Sequence, residues 1–216
     1  MREALIRKIL DEKVIAIVRG VYDEECLQLA RALHEGGVNL LEVTFDQKSA
    51  EARLQTIRTI QLLNRELGHE MVFGAGTFTN PEMVQQAKEA GAQFIISPDM
   101  DPAVIRATRE AGMVSIPGAM TPTEIKQAHD NGADFVKVFP ASNLGPSYIK
   151  AVAAPLSHIR MLVVGSVDGS NICDYMAAGA VGAGVAGCLF KKDWIRAGEW
   201  SRITEASRSF VAKLRG

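Results

Sequence analysis

The sequence predicts a single (β/α)8 barrel over residues 1–216, with an extra helix at its N-terminus, and three observations carry that expectation. Short Val- and Ile-rich runs of four to six residues recur along the chain, each beside Gly, Pro or Ser. Parallel strands buried on both faces read this way. Amphipathic helical patterns separate the runs, most with a glycine near the C-terminal end. Eight runs at a spacing of roughly 20–30 residues suit closure into an eightfold barrel.

An amphipathic helix opens the chain over 2–12. The strand runs then follow as VIAIV (14–18), LLEVTF (40–45), MVFGAG (71–76), FIIS (94–97), MVSIPG (113–118), FVKVF (135–139), MLVVG (161–165) and GAGVA (182–186). Helical stretches such as ECLQLARALHEGG and PEMVQQAKEAGA lie between them. GG at 36–37, AGA at 90–92, AG at 111–112, NGA at 131–133 and AGA at 178–180 repeat one device: a helix stops at glycine and the next strand begins. The segment 194–214 reads as a closing helix with a basic last turn, Lys213–Arg215. Right-handed βα repeats also permit an open doubly wound sheet. That sheet would be expected to carry a Gly-rich phosphate fingerprint after its first strand. VRGVYDEE stands there instead, and no GxGxxG occurs, so the barrel is preferred.

Composition narrows the class. With 216 residues, 47% of them apolar, the chain can bury one sizeable core without staples. Lys plus Arg number 24 against 25 Asp plus Glu, and a net charge of −1 argues against nucleic acid as the main partner. Cys26, Cys173 and Cys188 are an odd set without a CxxC pair, which disfavours a disulfide framework and a structural zinc site. Cys26 and Cys173 read as core fillers on helices, and Cys188 as partly accessible. Trp194 and Trp200 read as packing or subunit contacts. The opening MREALIRKILDEK is too charged for a signal peptide, and no apolar run nears the ~20 residues of a membrane span. A soluble cytoplasmic protein is expected. His34, His69, His129 and His158 show no metal-ligand spacing, so no metal is expected.

Charges inside buried strands are costly, by several kcal/mol unless paired or neutralised, and barrel function gathers at strand C-terminal ends. Three residues meet both conditions. Lys137 lies in DFVKVFPA between Val136 and Val138, Glu42 in NLLEVTF, and Arg19 closes VIAIVR. Desolvation lowers a lysine's pKa and frees its lone pair for attack on a carbonyl, although a buried lysine can equally be a structural partner of a carboxylate. Glu42 in an apolar mouth suits proton transfer near neutrality, or simple pairing with Lys137 or Arg19. The Arg19 guanidinium offers a fork for a carboxylate or phosphate. With Thr77 just past the third strand, these groups suit a small 2-oxo acid.

GGVNLLEVTF, VFGAGTFTNPE, AGAQFIISP, SIPGAMTPTE and DFVKVFPA, in this order and over nearly the whole chain, resemble the 2-keto-3-deoxy-6-phosphogluconate (KDPG) and 4-hydroxy-2-oxoglutarate (KHG) aldolases. The resemblance implies a class I aldolase on a TIM barrel, a homotrimer needing no metal or organic cofactor. It makes Lys137 the Schiff-base lysine and Glu42 the general acid/base. Gly76 and Thr77 match the GAGT turn beside the bound 2-oxo acid, and Pro117 a pocket-lining proline. Relatives carry an arginine soon after LEVT, where this chain has Phe45, Asp46 and Gln47; Arg19, matching a first-strand arginine, is assigned the carboxylate.

The phosphate end departs from the family. A TGG turn and a GS step are expected, and VVGSVDGSN and GVAGCLF stand there. Gly165 is kept, Ser166 replaces the second glycine, and Ala186–Gly187 replaces Gly–Ser. Gly165, Ser166 and Gly187 could still supply backbone donors. Asp168 adds negative charge nearby, so phosphate binding is expected to be weakened.

The function expected is cleavage of a 2-keto-3-deoxy (phospho)sugar acid or a 4-hydroxy-2-oxo acid to pyruvate plus an aldehyde: glyceraldehyde 3-phosphate, glyceraldehyde or glyoxylate. A phosphosugar isomerase or epimerase on the same barrel, with Glu42 as base, is the first alternative. A non-catalytic metabolite-binding paralogue is the second.

Overall fold

A computed structural model describes residues 2–47 and 49–215. Among these described residues, nine parallel strands form one sheet: β1 (Val14–Val18), β2 (Leu40–Thr44), β3 (Val72–Gly76), β4 (Phe94–Ile96), β5 (Val114–Ile116), β6 (Gly118–Ala119), β7 (Val136–Val138), β8 (Met161–Val164) and β9 (Gly182–Val185). Their order is β5-β4-β3-β2-β1-β9-β8-β7-β6. The two ends of that order, β5 and β6, are consecutive pieces of chain separated only by Pro117. The sheet is therefore an eightfold barrel whose fifth stave is split by a residue with no N–H to give the ladder. Closure runs through carbonyls on both sides of the split: Ser115 accepts from Asp134 at 3.0 Å and Pro117 accepts from Lys137 at 2.8 Å.

Helices cover the outside: α1 (Arg2–Glu12), α2 (Asp23–Glu35), α3 (Ala50–Leu67), α4 (Glu82–Glu89), α5 (Pro102–Glu110), α6 (Pro122–Asp130), α7 (Gly145–Ala153), α8 (Ile172–Ala177), α9 (Lys192–Arg196) and α10 (Trp200–Arg215). The expected glycine stops hold. Gly37, Gly91, Gly112, Gly132 and Gly179 all take φ between 77° and 108°, a region glycine enters without steric cost. The closing segment is two helices rather than one. Gly198 at φ 67° ends α9, and α10 starts afresh at Trp200.

Two apolar layers hold the fold. The larger lies between strands and helices. The smaller fills the barrel: Ile15, Leu40, Val72, Phe94, Val114, Phe135 and Leu162 face inward, and Leu5, Ile6 and Ile9 of α1 close the N-terminal end of the barrel over them. Each such side chain contributes roughly 1.5–3 kcal/mol by leaving water. Alternation along each strand then fixes what lies higher inside the barrel, because residues two apart share a face. Glu42 follows Leu40, and Lys137 follows Phe135. The apolar floor thus delivers both ionisable groups to the interior.

Beneath the barrel, Asp134 is almost fully buried and is satisfied by Arg2, by Arg109 at 3.4 Å and by the Ser115 N–H at 3.0 Å. Cys26 is buried as expected, and burial pushes its thiol up to about 12. Cys173 corrects the sequence reading: it sits on α8 but is exposed, so it fills no core. Cys188 is partly exposed. Trp194 and Trp200 pack part-buried against the main core, with the Arg202 guanidinium 4.2 Å from the Trp194 ring centroid. His129 and His158, distant in sequence, meet edge to face at 5.1 Å. No cluster of three or more His, Cys, Asp or Glu among the described residues is arranged to hold a metal ion. No described helix is long and apolar enough to cross a membrane.

Candidate active site

Lys137 sits at the middle of β7, in register with Gly118 on one side and Leu162 on the other. Its residue exposure is 9%, and its ammonium stands 4.8 Å from the centroid of the Phe139 ring. Burial holds its pKa below the ordinary lysine value; the Glu42 charge opposes that shift and the Arg19 charge adds to it. A lysine so placed is more often the neutral amine, the form that attacks a carbonyl.

Glu42 is 2% exposed at the middle of β2. Burial pushes its carboxyl up to about 7, against the downward pull of Lys137 and Arg19. The two groups therefore sense each other's charge across the barrel interior. A carboxyl that titrates near 7 can give and take protons with little driving-force penalty at neutral pH. Its seat is made by two glycines of β3, which stand opposite Glu42 and Thr44 in register. A Cβ at Gly74 would overlap the Phe94 ring, so that ring fills the space beneath the carboxyl. A Cβ at Gly76 would overlap the carboxyl group itself. Gly76, expected from the sequence to border the 2-oxo acid, is the residue that makes room for Glu42.

Arg19 and Thr77 also meet. The Arg19 Nη2 donates to Thr77 Oγ1 at 2.9 Å, tying the end of β1 to the end of β3. Thr77 takes φ 66°, unusual for a β-branched residue, and its carbonyl accepts from the Gln47 side chain. Pro117 is buried, and its carbonyl fixes the Lys137 backbone.

Gly165, Ser166 and Gly187 line a cleft of about 390 Å³ between the ends of β8 and β9, with Ile17, Asp168 and Cys188 among its other walls. Ser166 holds φ 51°, so the turn keeps the left-handed geometry a glycine would adopt freely, at about 1–2 kcal/mol. The Asp168 carboxylate accepts from the Ser170 N–H at 2.7 Å and from its hydroxyl at 2.6 Å, which hold it below the usual carboxylate range. Its charge is thus spent on its own loop as well as on the cleft. Burial pushes the Cys188 thiol up to about 11. No lysine or arginine is among the described residues lining this cleft.

Three further residues at the site had no readable role in the sequence. Phe139, an apolar residue of FVKVF, turns its ring to the lysine nitrogen. Gln47 had been noted as the place where an arginine is missing, and that absence was the available signal. Thr44 carried no signal, since threonine is common in strands.

The chain matches the family model for KDPG and KHG aldolase over residues 5–206. It is 35% identical to a KHG/KDPG aldolase of Escherichia coli (strain K12), over 88% of each chain. Among solved structures, it is similar to one described as native KDPGal, with a TM-score of 0.83, 32% identity and 94% of each chain covered. A KDPG aldolase from Legionella pneumophila, holding pyruvate captured as a covalent carbinolamine, is similar with a TM-score of 0.85 and 25% identity. That likeness covers 97% of this chain and 98% of the other.

Proposed function

The chain belongs to the KDPG and KHG aldolase family, and from that premise we propose a class I aldolase in which Lys137 is the Schiff-base nucleophile and Glu42 the proton carrier. The observation that carries this reading is the pairing, above the apolar floor of one barrel, of a buried lysine held below its ordinary pKa with a buried carboxyl at about 7.

The neutral Lys137 amine adds to the C2 carbonyl of the 2-oxo acid, giving a carbinolamine. Protonated Glu42 delivers a proton to the carbinolamine hydroxyl, which leaves as water, and the C=N⁺ bond forms. The Glu42 carboxylate then takes the proton of the C4 hydroxyl. The C3–C4 bond breaks, its electron pair neutralises the iminium as an enamine, and the aldehyde departs. Glu42 returns the proton to C3, and water releases pyruvate and Lys137. Arg19, anchored by Thr77, holds the substrate carboxylate as a fork. Gly76 keeps the Glu42 carboxyl in place, and Pro117 keeps the lysine's strand in place.

Substrates of this reading are 2-keto-3-deoxy (phospho)sugar acids or 4-hydroxy-2-oxo acids, with glyceraldehyde 3-phosphate, glyceraldehyde or glyoxylate as the second product. Gly165, Ser166 and Gly187 receive the aldehyde end. A cleft with backbone donors, an aspartate and no basic side chain favours an aldehyde without a phosphate. No metal or organic cofactor takes part. The family resemblance further supports a cytoplasmic homotrimer with one barrel per chain, which sedimentation of the purified protein tests.

Borohydride trapping tests the chemistry. Incubation with pyruvate, reduction and peptide mapping should place the adduct on Lys137 and nowhere in Lys137→Ala. Absence of any adduct on folded protein across pH 6–9 would sink the proposal. A kcat/KM for KDPG far above those for unphosphorylated analogues would refute the preference for an aldehyde without a phosphate.

A further inference from the structure

Two buried polar atoms at this site, Glu42 Oε2 and Thr44 Oγ1, have no hydrogen-bond partner among the described residues. They belong to side chains two apart on β2 and hence on one face, the face that Leu40 turns to the barrel interior. Thr44 stands opposite Gly76, and the Glu42 carboxyl leans over that same Gly76. Carboxyl and hydroxyl therefore share one level of the barrel. β1 and β3 flank β2, so the Arg19–Thr77 hydrogen bond between their ends passes over the end of β2. Thr44, 2% exposed, lies under that bridge.

Buried hydroxyls and carboxyls in native proteins nearly always find partners, and one left unmade is costly. Nothing in packing asks for a hydroxyl here, because valine would fill the same strand position without an unsatisfied polar atom. We propose that Thr44 is a positioning residue for the Glu42 proton carrier: its hydroxyl and Glu42 Oε2 hold one water molecule between them. The inference rests on the aldolase reading above. A threonine hydroxyl can rotate, so it donates to a water that donates to the carboxylate, and it accepts when a protonated Glu42 drives the water the other way. The same water is thereby retained in both protonation states, and the carboxyl keeps one orientation through the cycle.

The test uses pyruvate itself as the probe. Exchange of its methyl protons in D₂O, followed by NMR from pH 5 to 9, reports enamine formation without any aldehyde. Borohydride trapping and thermal melting accompany it for the wild type, Thr44→Val and Thr44→Ser. Thr44→Val should trap pyruvate on Lys137 to the wild-type extent and melt no lower than the wild type. It should exchange protons roughly tenfold more slowly, a modest share of what general acid–base catalysis supplies. Its acid limb should move to higher pH, because a donor supporting the carboxylate is gone. Thr44→Ser should restore both rate and profile. Wild-type exchange and profile in Thr44→Val would overturn the inference, as would a Thr44→Ser protein as slow as Thr44→Val. A wild type that traps no pyruvate overturns the aldolase reading and this inference with it, so the two failures are distinct.

Discussion

Gly76→Ala should disable the proton carrier while leaving the nucleophile intact. The Gly76 backbone lies outside the left-handed region, so alanine is conformationally acceptable there. The new methyl would overlap the Glu42 carboxyl outright, and even Cγ would stand only 2.7 Å away, where ordinary contacts begin at 3.4 Å. Glu42 has to swing the carboxyl well over ~1 Å, and a displacement of that order at a reacting group costs about 10²-fold in rate. The expected loss in kcat/KM is therefore about a hundredfold, equivalent to about 2.7 kcal/mol of transition-state stabilisation. Overpacking should cost a further 1–3 kcal/mol or so in stability. Steady-state cleavage assays coupled to pyruvate detection, with borohydride trapping in parallel, separate the effects: turnover falls while the Lys137 adduct still forms. The double variant Gly76→Ala/Glu42→Gln should be no slower than Glu42→Gln alone, since both act through one group. Wild-type kcat/KM in Gly76→Ala, or full additivity in the double variant, would refute the reasoning.

Lys137→Met should lose at least about 10³-fold in turnover through loss of the covalent step, yet melt no lower than the wild type, because a polar, ionisable amine is removed from a buried site; a lower melting temperature would argue against it. Glu42 titrates near 7 when folded and near 4.5 in its ordinary state. Between those values the folded chain keeps a proton the unfolded chain has released, so stability falls as pH rises through that window, by up to about 3 kcal/mol. Glu42→Gln should remove that slope, with a melting-temperature advantage that is absent near pH 4.5, grows toward 7 and then levels; a constant difference would count against the raised carboxyl. Arg19→Met should raise the KM for the 2-oxo acid roughly tenfold with a smaller change in kcat, read from initial rates. Iodoacetamide should label exposed Cys173 well before Cys188, whose thiol is held up near 11, and before buried Cys26; peptide mapping over time decides the order.

Much of the fold and the reactive pair were legible in the sequence. A lysine among valines and phenylalanines, and a glutamate inside LLEVTF, are anomalies that only pairing or chemistry sustains, although the structure seats both at mid-strand rather than at the strand ends where the sequence reading put them. Glycine stops were readable because each needs a backbone conformation that other residues enter at a cost. What was hidden depends on relations between strands. The space at Gly76 belongs to Glu42, and that at Gly74 to Phe94, yet nothing near either glycine in sequence says so. Proline in SIPG pointed to a pocket wall; that it divides a stave emerges only when β5 and β6 take opposite ends of the strand order. The break at Gly198 was readable in principle, but the apolar periodicity on both sides obscured it. Cys173 was misread because its helix, at six residues, has only a narrow inner face. Thr44 was silent because threonine is common in strands, and only the fold shows its hydroxyl buried without a partner on the face it shares with Glu42.

The N-terminal helix carries a consequence for the order of events in time. With Leu5, Ile6 and Ile9 seated under the inner layer, the barrel is blind-ended, and every molecule that enters or leaves must use the same rim. On the proposed assignment the pyruvyl fragment is tethered to Lys137 in the interior, and the aldehyde lies between it and bulk solvent, over the cleft at β8 and β9. Departure is therefore sequential: the aldehyde clears the rim first, water follows it inward, and pyruvate is released last. In the synthetic direction the queue reverses, with pyruvate first in and the aldehyde second. Product inhibition should accordingly show pyruvate competitive with the sugar acid and the aldehyde non-competitive, an order that the covalent tether imposes and that the floor closed by α1 gives no second exit to escape.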